Sequence, residues 1–302
     1  MNLQVRNYQI GKELGRGTFG VTYYGYDTVK QREVAVKTID INKSISIGSD
    51  LSSINDEIQT LREITGTDCS KYIACFYDSF QDNFQGVPTM FIISEYIKGN
   101  SLTDFIIANN AQIHFTVLWP LYLQLLIGLK FIHSKGYAHR DIKTDNILIT
   151  EDFTIKYIDF GLACLQRCQV TSCTNTCKGL GGTLFYMPPE FFNGTYVESL
   201  EASQAHDMWS LAIVMSEMAL GIRNFPFKLL KDDNSTCLPE DQIMAHIAQA
   251  PEYYADYQLD FKDGRTNKFL DSLLVNNWRK RPNVWTAKRM FVNNVLAKVW
   301  IQ

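Results

Sequence analysis

Between His139 and Gly161 three oxygen-bearing side chains recur at spacings that suit one chemistry: Asp141, Asn146 and Asp159. Carboxylate and amide oxygens are ligands for a hard divalent cation. Mg²⁺ takes one or two carboxylates and completes its octahedron with phosphate oxygens and water. The sequence from Ile147 to Ile158 holds two short apolar runs interrupted at Glu151-Asp152, the pattern of a β-hairpin. A hairpin returns its ends to one place, so the pattern predicts that Asp141 and Asn146 lie close to Asp159. Taken singly, each Asp reads as a turn former and Asn146 as a strand-start cap; together, at these spacings, they favour the cation.

Other segments must position that chemistry. Residues 8–14 alternate as a strand and lead into Gly15-Arg16-Gly17-Thr18-Phe19-Gly20. Glycines at the first, third and sixth positions let backbone approach phosphate oxygens and take positive φ without a Cβ penalty. A dinucleotide-binding fold would open a helix here. Val21-Thr22-Tyr23-Tyr24-Gly25-Tyr26 is instead β-branched and aromatic, and reads as the return strand of a hairpin. Val34-Ala35-Val36-Lys37 is a buried strand ending in a cation. Ile54, Ile58, Leu61 and Ile64 mark one face of a helix starting at Ser52-Ser53, with Glu57 beside that face and Asp56 and Glu63 as competing carboxylates. Strands are expected over 72–77 and 89–94, ending where polarity rises at Glu95-Tyr96-Ile97-Lys98-Gly99-Asn100. Ser101-Leu102-Thr103-Asp104 reads as a helix N-terminus, 117–133 as a long apolar helix despite Pro120, and Asp207-Met208-Trp209 as the opening of an apolar helix to Leu220.

Composition sets bounds. The 302 residues have room for one large domain or two packed lobes, and 46% hydrophobic residues can fill a core. A formal net charge of −3 points to neither nucleic acid nor an anionic membrane. No apolar run approaches the roughly 18 residues of a membrane span, and the start lacks an apolar signal region. The expectation is an intracellular, cytoplasmic protein without nucleic-acid or membrane partners. Seven cysteines, an odd count, fit a reducing compartment better than a disulfide framework.

These motifs, in this order over about residues 8 to 295, resemble the eukaryotic-type protein kinase family, and within it the serine/threonine kinases. The resemblance implies an α+β bilobal protein kinase fold: an N-terminal lobe (1–96) of small antiparallel β-sheet with one main helix, a larger mainly helical C-terminal lobe (97–302), and ATP between them. It implies transfer of the γ-phosphoryl of Mg-ATP, with Mn²⁺ as an alternative ion, to a protein Ser/Thr hydroxyl. Asp141 would orient the acceptor hydroxyl and take its proton, while Asn146 and Asp159 hold the metal. Lys143 and Thr183, the latter in Gly182-Thr183-Leu184-Phe185-Tyr186-Met187-Pro188-Pro189-Glu190, are the features that accompany Ser/Thr specificity. Lys37 would contact the α- and β-phosphates and pair with Glu57. The nucleotide pocket would be lined by Leu14, Gly15, Arg16, Gly17, Thr18, Phe19, Gly20, Thr22 and Ala35, with Glu95 and Ile97 at the hinge that reads adenine and Ser94 at its back wall. Asp207 would accept backbone N–H groups of the catalytic loop, and Arg281 would pair with Glu190. Thr22, Pro188 and Ala212 stand where the family usually has Val, Ala and Gly.

Two rivals remain in view. A pseudokinase scaffold would use the same fold, but generally lacks a residue at one of the positions held here by Lys37, Asp141 and Asp159. A small-molecule kinase of related fold would not need the segment from Thr183 to Glu190. The largest departure from the family is Cys164, Cys168, Cys173 and Cys177, spaced Cys-x₃-Cys-x₄-Cys-x₃-Cys. They are open to three readings: a zinc site, a regulatory disulfide, or solvent-facing thiols without a shared role. Gly179 stands at the usual phosphothreonine position, so Arg140 would need another partner, such as phosphorylated Thr176, or a cysteine-based clamp.

Overall fold

Two units, Met1–Lys98 and Gly99–Gln302, divide the chain in the computed structural model. The structure describes residues 3–17, 20–46, 51–66, 69–109, 113–168, 173–175, 182–222, 239–248 and 264–297.

The first unit contains β1 (Leu3–Val5), β2 (Tyr8–Arg16), β3 (Gly20–Asp27), β4 (Arg32–Asp40), α1 (Ile41–Ser46), α2 (Leu51–Thr65), β5 (Phe76–Phe84) and β6 (Val87–Glu95). One sheet runs β1-β2-β3-β4-β6-β5, antiparallel throughout. Its centre is β4, because Val34 and Val36 alternate into a cluster with Val5, Tyr8, Ile10, Phe80, Phe91 and Ile93. Phe80 stacks between Tyr8 and Phe91, with centroids 5.6 and 5.0 Å away. On α2 the stripe Ile54, Ile58, Leu61 and Ile64 is buried as its spacing requires.

The strand expected over 72–77 is corrected. Tyr72 lies in a turn that the Ile73 N–H closes by donating to the Ser70 carbonyl at 3.2 Å, Ile73 makes only an isolated bridge, and the apolar character of Ile73 and Ala74 reflects their burial. The strand runs instead from Phe76 through the polar Gln81-Asp82-Asn83, since β5 is the sheet edge and half of it faces water. It returns through Gln85 and Gly86, both left-handed (φ 53° and 84°), the pair of conformations a two-residue hairpin turn requires.

The second unit comprises β7 (Gly99–Ser101), α3 (Leu102–Ala108), α4 (Phe115–Ser134), β8 (Tyr137–Ala138), β9 (Ile147–Thr150), β10 (Ile155–Tyr157), β11 (Cys164–Cys168), β12 (Cys173–Asn175), α5 (Leu200–Leu220) and further helices at Glu240–Ala248, Gly264–Leu273 and Val284–Phe291. Ser101 caps α3, its Oγ accepting the Asp104 N–H at 3.0 Å. The apolar run behind α4 is corrected in one respect: this helix of 20 residues, at hydropathy 1.6, is long and apolar enough to cross a membrane. Half of it is buried within the protein, and the Tyr122 hydroxyl donates to the Met215 carbonyl of α5, so core packing accounts for its composition. A second correction concerns α5, which starts at Leu200 rather than Asp207. Ser199 is the cap, accepting the Ala202 N–H at 3.1 Å, and Asp207 lies two turns into a helix buried nearly all round. The sheet element plus one principal helix, followed by a mainly helical unit, gives the expected α+β organisation.

Candidate active site

The loop from His139 to Asn146 hangs from one buried carboxylate. Asp207 accepts the His139 N–H at 2.8 Å and the Arg140 N–H at 2.7 Å, and its Oδ2 also meets His133 Nε2 at 2.8 Å. Burial alone would push this carboxyl up; the His133 hydrogen bond, with the neighbouring imidazoles, outweighs it and holds Asp207 below the ordinary carboxylate value. The hold permits strain: Arg140 is left-handed at φ 66°.

Asp141 is the hub that follows. Its Oδ1 accepts the Thr183 hydroxyl at 2.8 Å, and its Oδ2 accepts Asn146 Nδ2 at 2.8 Å and Lys143 Nζ at 2.9 Å. Lys143 Nζ also donates to Thr183 Oγ1 at 2.9 Å, so all four expected residues form one polar cluster. Asn146 Nδ2 makes a second bond to the Asp141 carbonyl at 2.9 Å. With its amide nitrogen directed at Asp141, the Asn146 side-chain carbonyl oxygen faces the other way.

The hairpin brings Asp159 alongside. β9 and β10 pair with Ile147 opposite Tyr157, and the Ile158 N–H donates to the Asn146 carbonyl at 3.0 Å, one residue before Asp159. Asp159 is left-handed (φ 59°), which Asp tolerates, and its Oδ1 accepts the Gly161 N–H at 3.3 Å. Buried His139 locks the two stretches together. Its Nδ1 accepts the Asp141 N–H at 3.3 Å, its Nε2 reaches the Ile158 carbonyl at 3.3 Å, and its ring lies 4.9 Å from Phe160. These partners assign the Nε2–H tautomer.

The first unit carries a separate cation. Lys37 Nζ meets Glu57 Oε1 at 2.7 Å, and both side chains are mostly buried. The competing Glu63 instead accepts Gln59 Nε2 at 2.7 Å. Lys37 lies opposite Thr22 on β3, and Ala35 opposite Ser94 on β6. The glycine hexamer joins β2 to β3, with the Gly17 N–H bonded to the Gly20 carbonyl at 2.9 Å. A Cβ on Gly20 would fall 2.0 Å from the Thr38 carbonyl oxygen, so only glycine fits there. Thr18 and Phe19 lie outside the described residues. Arg16 is paired with Glu13 at 2.7 Å, and Leu14 is exposed. At the other end of β6, Ile97 is buried, and Glu95 exchanges two bonds with Cys75: its N–H donates to the Cys75 carbonyl at 2.8 Å and its carboxylate accepts the Cys75 N–H at 3.2 Å.

Residues 8–301 match the protein kinase domain family. The chain belongs to that family. Its relatives include CDPK-related kinase 4 of Arabidopsis thaliana, 31% identical over 98% of this chain and 44% of the relative. Serine/threonine-protein kinase sid1 of Schizosaccharomyces pombe is 28% identical over 73% of this chain and 42% of the relative. Cell division control protein 7 of the same yeast is 32% identical over 73% of this chain and 19% of the relative. The chain thus spans less than half the length of the curated relatives it matches.

The kinase framework expected at Glu190 and Arg281 is a buried bidentate pair, both N–O distances 3.0 Å. A buried hydroxyl chain was not legible beforehand: Thr103 donates to Thr144 Oγ1 (2.8 Å), Thr144 meets the Tyr186 hydroxyl (3.0 Å), and Tyr186 donates to Glu217 (2.7 Å). It ties the segment after Thr183 to the catalytic loop and to α5. Burial, then the Glu217 charge, raises the Tyr186 phenol far above its ordinary value, keeping it a donor.

The cysteines require two corrections. Cys69 and Cys75 form a disulfide, against the expectation drawn from an odd count. Cys164 is also disulfide-bonded, and it is buried against Ala138 and Leu200, so the solvent-facing reading fails for it. The backbone register of β11 and β12 sets Cys168 opposite Cys173. Cys177, Gly179 and Thr176 lie outside the described residues, and with them the zinc reading.

Proposed function

We propose that the chain is an ATP-dependent serine/threonine protein kinase. The observation that carries this is the hydrogen-bond state of Asp141. A carboxylate offers about four lone-pair sites; Thr183, Asn146 and Lys143 supply three donors, which fix both oxygens and leave an acceptor place for a substrate hydroxyl. Asp141 then orients that hydroxyl and receives its proton as the oxygen attacks the γ-phosphorus. Lys143, bonded to Thr183 as well, stabilises negative charge developing on the transferring group. Thr183 couples the peptide-docking segment to the base, so a bound Ser/Thr side chain meets a base already aligned.

The donor set fits Mg²⁺: an amide carbonyl on Asn146 and a carboxylate on Asp159, both hard oxygens. When bound, the ion would neutralise nucleotide phosphate charge. Glu57 holds the Lys37 ammonium for the α- and β-phosphates. Sulfur chemistry is part of the proposal, since disulfide-bonded Cys164 and the opposed Cys168 and Cys173 lie in the segment where the usual phosphothreonine position is Gly179. In it, a cysteine clamp does the ordering. Cys164→Ser should lower kcat without changing ATP affinity; unchanged activity at all reductant levels, with no zinc in the purified protein, would remove the clamp. The function itself is tested with labelled ATP and a degenerate peptide array. Wild type should label Ser/Thr peptides and Asp159→Ala should not; equal labelling would favour contamination or a scaffold.

A further inference from the structure

The Cys69–Cys75 disulfide has no part in the function proposed above. It closes the stretch leaving α2 and entering β5, with Cα atoms 5.6 Å apart. What adjoins it gives it meaning. The Cys75 backbone exchanges two bonds with Glu95 at the end of β6, at 2.8 and 3.2 Å. Next to it, the Phe76 N–H donates to Thr65 Oγ1 at 2.9 Å, and that hydroxyl donates to the Leu61 carbonyl at 2.8 Å, in the last turns of α2. Residues 75 and 76 therefore connect the helix that carries Glu57 to the strand end that leads to Ile97. Cys69 is exposed and Cys75 half-buried, so a small thiol reaches the Cys69 sulfur first.

We infer that Cys69–Cys75 is a thiol–disulfide exchange site whose redox state sets nucleotide affinity; the coupling rests on the nucleotide-binding reading above. Reduction by a small dithiol is balanced. One thiolate attacks Cys69 Sγ, Cys75 leaves as thiolate and takes a proton, and the reductant's second thiolate resolves the mixed disulfide. The products are two protein thiols and one cyclic disulfide. Peroxide reverses it, two thiols and one H₂O₂ giving the disulfide and two waters. Opening the bond frees Cys75, and with it the bonds that hold Glu95 and the end of α2. The donor atoms of Cys69, Cys75 and Glu95 lie within 4.8 Å of one another, so Zn²⁺ on the reduced pair is the competing occupant that a test must separate.

The experiment uses the full chain, oxidised with peroxide or reduced with dithiothreitol, in excess Mg²⁺ with a zinc-selective chelator. ATP Kd is measured by calorimetry and cross-links are mapped by mass spectrometry. The expected result is at least a threefold difference in Kd between the two states, with a 69–75 cross-link only in the oxidised one. Cys69→Ser should sit at the reduced value whatever the treatment, while Cys164→Ser keeps the response. Equal Kd values, a response that survives Cys69→Ser, or one that appears only when Zn²⁺ is supplied would overturn the inference. Absence of ATP binding in both states, with the cross-link still interconverting, would instead sink the nucleotide reading and the coupling with it, leaving only the exchange chemistry.

Discussion

Replacing Asp207 by Asn changes one atom and should disable the catalytic loop. The carboxylate receives three buried donors: the His139 and Arg140 N–H groups and His133 Nε2. Asparagine keeps one acceptor oxygen and turns an NH₂ toward at least one of those donors. Each buried donor left unpaired costs about 1–3 kcal/mol, so Asp207→Asn should destabilise by at least about 1–3 kcal/mol, and Asp207→Ala, which orphans all three, by roughly 3–9. Against a total of about 5–15 kcal/mol, the alanine variant borders on unfolding. The assay is urea unfolding followed by fluorescence, alongside kcat for the folded Asn variant. That kcat should fall at least tenfold, because Arg140 can no longer be held at positive φ and Asp141 moves with it. Stability within 0.5 kcal/mol of wild type, or an unchanged kcat, would refute the reasoning. The pH dependence is fixed in sign. Because the folded pKa lies below the unfolded value near 4, the stabilisation is full above pH 4 and disappears as pH falls through the lower folded value.

Three further outcomes follow from the same geometry. Glu57→Gln removes a charge-assisted bond to Lys37; since the lysine is partly exposed, the expected loss is about tenfold in ATP affinity, read by calorimetry, with little change in melting temperature. Gly20→Ala drives a Cβ into the Thr38 carbonyl and should disturb the hairpin, raising the KM for ATP more than it lowers kcat, as steady-state kinetics would show. His206 is held neutral by burial, its pKa pushed down to about 4, with Nδ1 lacking a partner among the described residues. A depressed histidine stabilises the fold fully above about pH 6.5 and progressively less down to about pH 4, a difference on the order of 3 kcal/mol. Urea midpoints of wild type should therefore fall across that window, and those of His206→Phe should fall less.

The parts legible in the sequence were those in which local pattern and tertiary demand coincide. The α2 stripe, the Ser101 cap and the β9–β10 hairpin each follow from periodicity or capping that packing then reinforces. Asp141, Asn146 and Asp159 stand out because one chemistry constrains their types and spacing, whereas Lys143 and Thr183 follow only from the resemblance to the kinase family. Boundaries failed where burial and secondary structure separate. Ile73 looked like strand because it is buried, and Gln81-Asp82-Asn83 looked like loop because an edge strand tolerates polar residues. Asp207 reads as the opening of a helix that in fact begins at Leu200, and its bonds to a loop almost seventy residues earlier follow from the family resemblance alone, because no local signal reports such a pairing. The Thr144–Tyr186–Glu217 chain and the Cys69–Cys75 bond were unreadable for the same reason: each depends on which side chains the fold makes neighbours.

The most direct test of the central claim is the single-turnover rate of phosphoryl transfer to a Ser/Thr peptide by wild type and by Asp141→Asn, with ATP affinity measured on the same samples. Loss of a positioned base predicts a fall of about 10²–10⁴-fold in rate, while the nucleotide dissociation constant stays within a factor of about three. Equal rates in the two proteins, or a rate loss matched by an equal loss of ATP affinity, would contradict the account.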